Sequence, residues 1–90
     1  MESVREMVQL RDALRAASAV PTSTNIDSLQ VAVCAAVDML RTAGWPVEAI
    51  IIEVKRIASA IGLRPEHTAT ESDLLTNTVR WCIEHYYRST

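Results

Sequence analysis

Ala43-Gly44-Trp45-Pro46 and Ile61-Gly62-Leu63-Arg64-Pro65 carry both glycines of this 90-residue chain. In each stretch an apolar residue follows the glycine, and a proline comes next or one position later. Glycine takes the left-handed conformation that closes a last helical turn, and the apolar residue packs back onto that turn. Proline cannot continue a helix, but it suits the first turn of a new one. Both stretches therefore read as helix stops, and Val20-Pro21 reads as a further break. The chain divides into four helices, over about 2–19, 26–43, 46–61 and 70–87.

The segments between the stops agree in their periodicity. In helix 3, Val47, Ile50, Ile51, Val54, Ile57, Ala58 and Ile61 form an apolar stripe at spacings of three and four, with Glu48, Lys55, Arg56 and Ser59 opposite. The run Ile50-Ile51-Ile52 has strand character, but the surrounding 3.6-residue period and the flanking caps predict a helix. Ile52 falls within the polar face. At the start of this helix Trp45 is expected at the cap position and Pro46 at the first helical position. Glu48 then complements the positive helix end.

Helix 1 is amphipathic, with Val4, Met7, Val8, Leu10, Leu14 and Ala17 on its apolar face. Arg11 and Arg15 sit at the edge of that face, where their stems cover the core rim. Between helices 1 and 2, Pro21-Thr22-Ser23-Thr24-Asn25 is polar, and Thr24 with Asp27 predicts a capping box. As a hinge beside a self-contained helix, this segment permits helix 1 to swap between protomers.

Helix 2 has an apolar stripe of Ile26, Leu29, Val33, Ala36, Val37 and Leu40, and a second apolar side of Val31, Ala35 and Met39. A helix apolar nearly all round is buried nearly all round. Helix 2 is therefore either central or meets another chain. Helix 4 opens on Thr70 with Asp73, a second capping-box pattern, and carries a broad apolar face of Leu74, Leu75, Val79, Trp81, Cys82, Ile83 and Tyr86.

Composition agrees with a small helical core. Apolar residues make up 49% of the chain but aromatics only 4%, which favours close helix packing over a large ligand cavity. The net charge is −2, with both signs interspersed along the chain. That balance favours neither nucleic acid nor an anionic membrane. No apolar run approaches the roughly 18 residues of a membrane span. Residues 1–20 carry charges throughout, unlike a signal peptide, so a cytoplasmic location is expected. Cys34 and Cys82 lie far apart in apolar helical stretches and read as buried free thiols.

No residue cluster points to catalysis, a metal or a cofactor. His67 lies near Glu66 and Glu71, a weak general-base or metal pattern that an ordinary surface loop explains better. His85 is placed on the apolar side of helix 4 between Trp81 and Cys82, donating to a backbone carbonyl. With Cys82 it lacks the third orienting group a Cys/His pair needs.

These features predict an all-α fold: a compact bundle of four helices with short connections, completed by dimerisation. The expected function is a non-enzymatic protein–protein interaction or regulatory module, a homodimer or the partner of another helical protein. Candidate interface residues are Val31, Ala35, Met39, Ile52, Trp81 and Tyr87. The alternative is a DNA-binding regulator using helices 2 and 3 as a helix-turn-helix, with Lys55 and Arg56 as nucleic-acid contacts. The acidic start of helix 3, with Glu48 and Glu53, counts against it.

Overall fold

A computed structural model describes residues 2–64, 66 and 68–88, with residues 2–4 described by their backbone alone. His67 and the side chain of Val4 lie outside the described residues. Four helices follow in order: α1 (Glu2–Ala19), α2 (Ser23–Thr42), α3 (Val47–Ala60) and α4 (Ala69–Arg88). Among the described residues there is no strand. The fold is the all-α bundle that the stops and periodicities predict.

Both glycine stops close as the sequence requires. Gly44 has φ of 93° and Gly62 of 86°. Trp45 N–H donates to the Leu40 carbonyl and Gly44 N–H to that of Arg41, each at 3.0 Å. Leu63 N–H likewise donates to Ala58, and Gly62 N–H to Ser59. This paired pattern satisfies the last carbonyls of α2 and α3. Leu63 is buried beside Ala58 as the apolar residue that completes the motif.

A Cβ built on Gly44 meets nothing within 4 Å, so any substitution there costs backbone strain alone. Gly44→Ala is expected to lower stability by about 1–2 kcal/mol, the cost of an L-residue in the left-handed region. Urea denaturation reads this as a lower midpoint with an unchanged slope. An unchanged midpoint would contradict it.

The helix starts differ from expectation. The N-cap of α2 is Thr22, whose Oγ1 accepts from Asn25 N–H at 3.2 Å, so α2 starts at Ser23 and not near Ile26. The Asn25 side chain is engaged elsewhere. Its Nδ2 donates to the Val20 carbonyl at 2.7 Å and reaches Ala16 O at 3.5 Å. One side chain thus caps the end of α1 from inside α2. For α3 the N-cap is Pro46 and the helix starts at Val47, because the first helical bonds, from Ala49 and Ile50 N–H, go to the Pro46 carbonyl. At α4 the cap is Thr68, which accepts from Glu71 N–H at 3.1 Å, in place of the expected Thr70–Asp73 pair. The Glu71 carboxylate accepts instead from Arg64 N–H at 3.2 Å and ties the loop to the helix.

All four helices contribute to one core. Leu10, Leu14 and Ala17 come from α1, Leu29, Val33, Ala36, Val37 and Leu40 from α2, Ile50, Val54 and Ala58 from α3, and Leu74 and Cys82 from α4. Leu63 joins them from the loop. Thr78 is fully buried, and its hydroxyl is satisfied by the Leu74 carbonyl one turn back at 2.8 Å.

Helix α2 lies between α1 and α4, while α3 packs mainly on α4 and touches α1 and α2 only lightly. The circumference of α2 is therefore covered on two flanks by its own chain. Helix 2 is thus central to the bundle. Its remaining outward strip holds exposed Asp27, Val31, Asp38 and Thr42.

Candidate functional site

The six candidate interface residues separate into two groups. Met39 and Trp81 are half-buried and pack against the core of their own chain, and Ala35 is half-buried. Val31, Ile52 and Tyr87 remain exposed, at 70%, 67% and 58%. Val31 stands on α2 among polar neighbours. Ile52 and Tyr87 stand on α3 and α4, which run antiparallel.

Contacts at both ends fix that direction. Tyr86 Oη, near the end of α4, donates to the Trp45 carbonyl at the start of α3, at 3.2 Å. At the other end, Arg64 just past α3 meets Glu71 in the first turn of α4.

The register follows from a shallow groove on the outer seam of the pair. Lys55 of α3 lines it together with Ser72, Leu75, Thr76 and Val79 of α4. One turn toward the start of α3 lie Ile51 and Ile52, and one turn toward the end of α4 lies Ile83. Ile52 is thus level with Val79, Ile83 lies one turn further along α4 at the Glu48 end, and Tyr87 lies beyond it toward Trp45. Ile52, Ile83 and Tyr87 therefore share one face, with Glu48 and Lys55 on its α3 margin.

Periodicity places Ile83 on the core face of α4, yet it is 38% exposed. The core stripe of α4 runs through Leu74, Thr78 and Cys82, and a residue one position beyond Cys82 is turned about 100° away from it. The end of this face is aromatic and held in place. Tyr86 and Tyr87 meet edge to face, with centroids 5.3 Å apart and planes at 77°. The Arg41 guanidinium lies 5.9 Å from the centre of the Tyr86 ring, a cation–π contact from α2 to α4.

A second concavity, of about 370 Å³, opens along the loosely packed seam between α1 and α3. Met7 and Val8 of α1, Ile57 of α3, and Leu40 with Trp45 form its apolar walls, and Arg11 stands at its lip. Arg56 also borders it, but its guanidinium is held by both carboxylate oxygens of Glu53 one turn back. Of the two candidate nucleic-acid contacts, Arg56 is thus engaged within its own helix, and Lys55 is exposed on the α4 side.

His85 has a side-chain partner that the expectation did not name. Its Nε2 lies 2.8 Å from Asp38 Oδ1, linking α4 to α2 at the surface. An acidic residue on the neighbouring helix supplies a partner that a reading of α4 alone does not contain. Among the described residues, no group of three or more His, Cys, Asp or Glu is placed to hold a metal ion.

Both cysteines are free thiols. Cys82 is fully buried, and burial followed by the field of Cys34 pushes its pKa from 9.0 up to about 12. Cys34 is half-buried, and its pKa is raised by desolvation first and by Asp38 second, against an opposing effect of Arg88. Neither site favours the thiolate that nucleophilic chemistry requires. None of the four helices is long and apolar enough to cross a membrane.

Comparison with protein-family models, with curated proteins and with solved structures found no match to this chain.

Proposed function

We propose that this chain is a non-enzymatic helical interaction module that works as a homodimer through the outer face of α3 and α4. The observation that supports it is the set of three large apolar side chains, Ile52, Ile83 and Tyr87, left exposed on one face of an antiparallel helix pair. Single exposed apolar residues are ordinary, but a contiguous set rimmed by charges marks an association surface. Tyrosine at the end of such a face provides apolar area with a polar tip. The surface lies on two packed helices, so it is preorganised and costs little ordering on association.

The DNA-binding alternative draws less support. Arg56 is held by Glu53, and α3 packs chiefly on α4, not on α2 as a helix-turn-helix pair requires.

Light scattering across a concentration series tests the proposal. The expected result is twice the monomer mass of 10.0 kDa at high concentration, with dissociation on dilution. Ile52→Glu should shift the protein to monomer and leave its helical circular dichroism intact, because an exposed substitution typically changes stability by only about 0.5 kcal/mol. A wild-type monomer throughout the series, or an Ile52→Glu variant that remains dimeric, would overturn the reading.

A further inference from the structure

We infer that two copies of the chain pair α3 against α3 in antiparallel register about Ile52, with Glu48 of each copy facing Lys55 of the other; this rests on the homodimer reading above. Glu48 and Lys55 flank Ile52 on the same outward strip of α3, one turn to either side. Both are exposed, and among the described residues neither has an ion-pair partner within the chain. They contrast with Glu53 and Arg56 on the neighbouring strip, which satisfy each other. Lys55 is also the chain's one lysine.

A twofold axis perpendicular to α3 reverses the helix direction between copies. Residues before the axis in one copy then face residues after it in the other. With the axis at Ile52, the acidic side of one strip meets the basic side of its mate, and the relation holds twice by symmetry. A parallel arrangement sets Glu48 against Glu48 and Lys55 against Lys55, which the same charges oppose. Opposite charges flanking Ile52 thus select direction and register, while Ile52 at the axis supplies the central apolar contact and Ile83 extends it toward the Glu48 end. The antiparallel course of α4 places Ile83 at the Glu48 end of the strip and carries Tyr87 beyond it toward Trp45. Each aromatic tip then lies at the rim of the joint surface, beyond one of the charge pairs.

Charge reversal tests the register apart from dimerisation itself. The variants are Glu48→Lys, Lys55→Glu and the double reversal, with dimer dissociation constants measured by sedimentation at low salt. Each single reversal replaces two attractive pairs with two repulsive ones, and is expected to weaken the dimer about tenfold or more. The double reversal restores opposite charges and is expected to return the constant to within about threefold of wild type. Circular dichroism and thermal unfolding of each variant monitor the fold, since Glu48 also complements the α3 start.

Rescue by the double reversal supports the antiparallel register. Additive weakening without rescue, or no response to either single reversal in a wild-type dimer, overturns it. A wild-type chain that never dimerises overturns the homodimer reading on which this inference rests.

Discussion

Leu29→Ala is expected to lower the unfolding free energy by about 3 kcal/mol, within the range for fully buried leucines. Leu29 is 0% exposed and belongs to the core shared by all four helices. Truncation removes the transfer free energy of the lost carbons and leaves a cavity that rigid helices only partly refill. A chain of 90 residues has a small core, and domains of this size are stabilised by only about 5–15 kcal/mol in total. The loss is therefore a large share, worth roughly 12 °C or more in melting temperature at about 4–8 °C per kcal/mol. Urea denaturation followed by far-ultraviolet circular dichroism measures it. Val31→Ala is the matched control on the same helix, because Val31 is 70% exposed and should change stability little. Equal effects at the two positions would contradict the central placement of α2.

The second large effect belongs to Cys82, through pH. Its folded pKa of about 12 lies above the usual 9.0 because burial opposes the thiolate. A group whose pKa is raised by folding contributes stability fully below the unfolded value, and loses that contribution as pH rises through the folded value. The window is therefore about pH 9 to 12, and the contribution lost across it is on the order of 4 kcal/mol. Cys34, also raised, acts in the same direction. Melting temperature should fall steeply above pH 9, and Cys82→Ala should flatten that fall while lowering stability at neutral pH. A parallel pH profile for the variant would refute the assignment. In a labelling experiment at pH 8, the same displacement leaves Cys82 about a thousandfold poorer in thiolate than an unperturbed cysteine. Alkylation should mark Cys34 first and reach Cys82 mainly through unfolding.

The four-helix division was legible because it rests on chemistry confined to a few neighbouring residues. Gly44 and Gly62 are the chain's only glycines, and each closes its helix in the left-handed conformation. The helix starts were less legible because competent caps are crowded together. Thr22, Ser23, Thr24 and Asn25 can all cap; Thr22 does so, while the Asn25 side chain is engaged by the Val20 and Ala16 carbonyls. Thr68 and Thr70 offer overlapping frames in the same way, and Thr68 was used. Trp45 reads as a cap for α3, but the first helical bonds go to the Pro46 carbonyl.

Of the surface, Ile52 was visible because an apolar residue interrupts a polar strip on its own helix. Ile83 and the His85–Asp38 contact were not visible, because both depend on what lies across from α4. Periodicity describes one helix at a time. The packing that sets Ile83 on the same outer seam as Ile52 is a property of two.

The corner at Thr22 and Asn25 has a consequence for the order in which the chain assembles. Its hydrogen bonds span three, five and nine residues, so they are available as soon as the first half of the chain exists. Contacts this local form before distant ones, because little loop entropy opposes them. The α1–α2 hairpin can therefore collapse early around Leu14 and Leu29, while α3 must wait for α4 to provide the surface on which it mainly rests. On this route the final event is the docking of an α3–α4 hairpin onto a waiting α1–α2 hairpin. Until then, the side chains that will meet in the core remain exposed on two half-molecules.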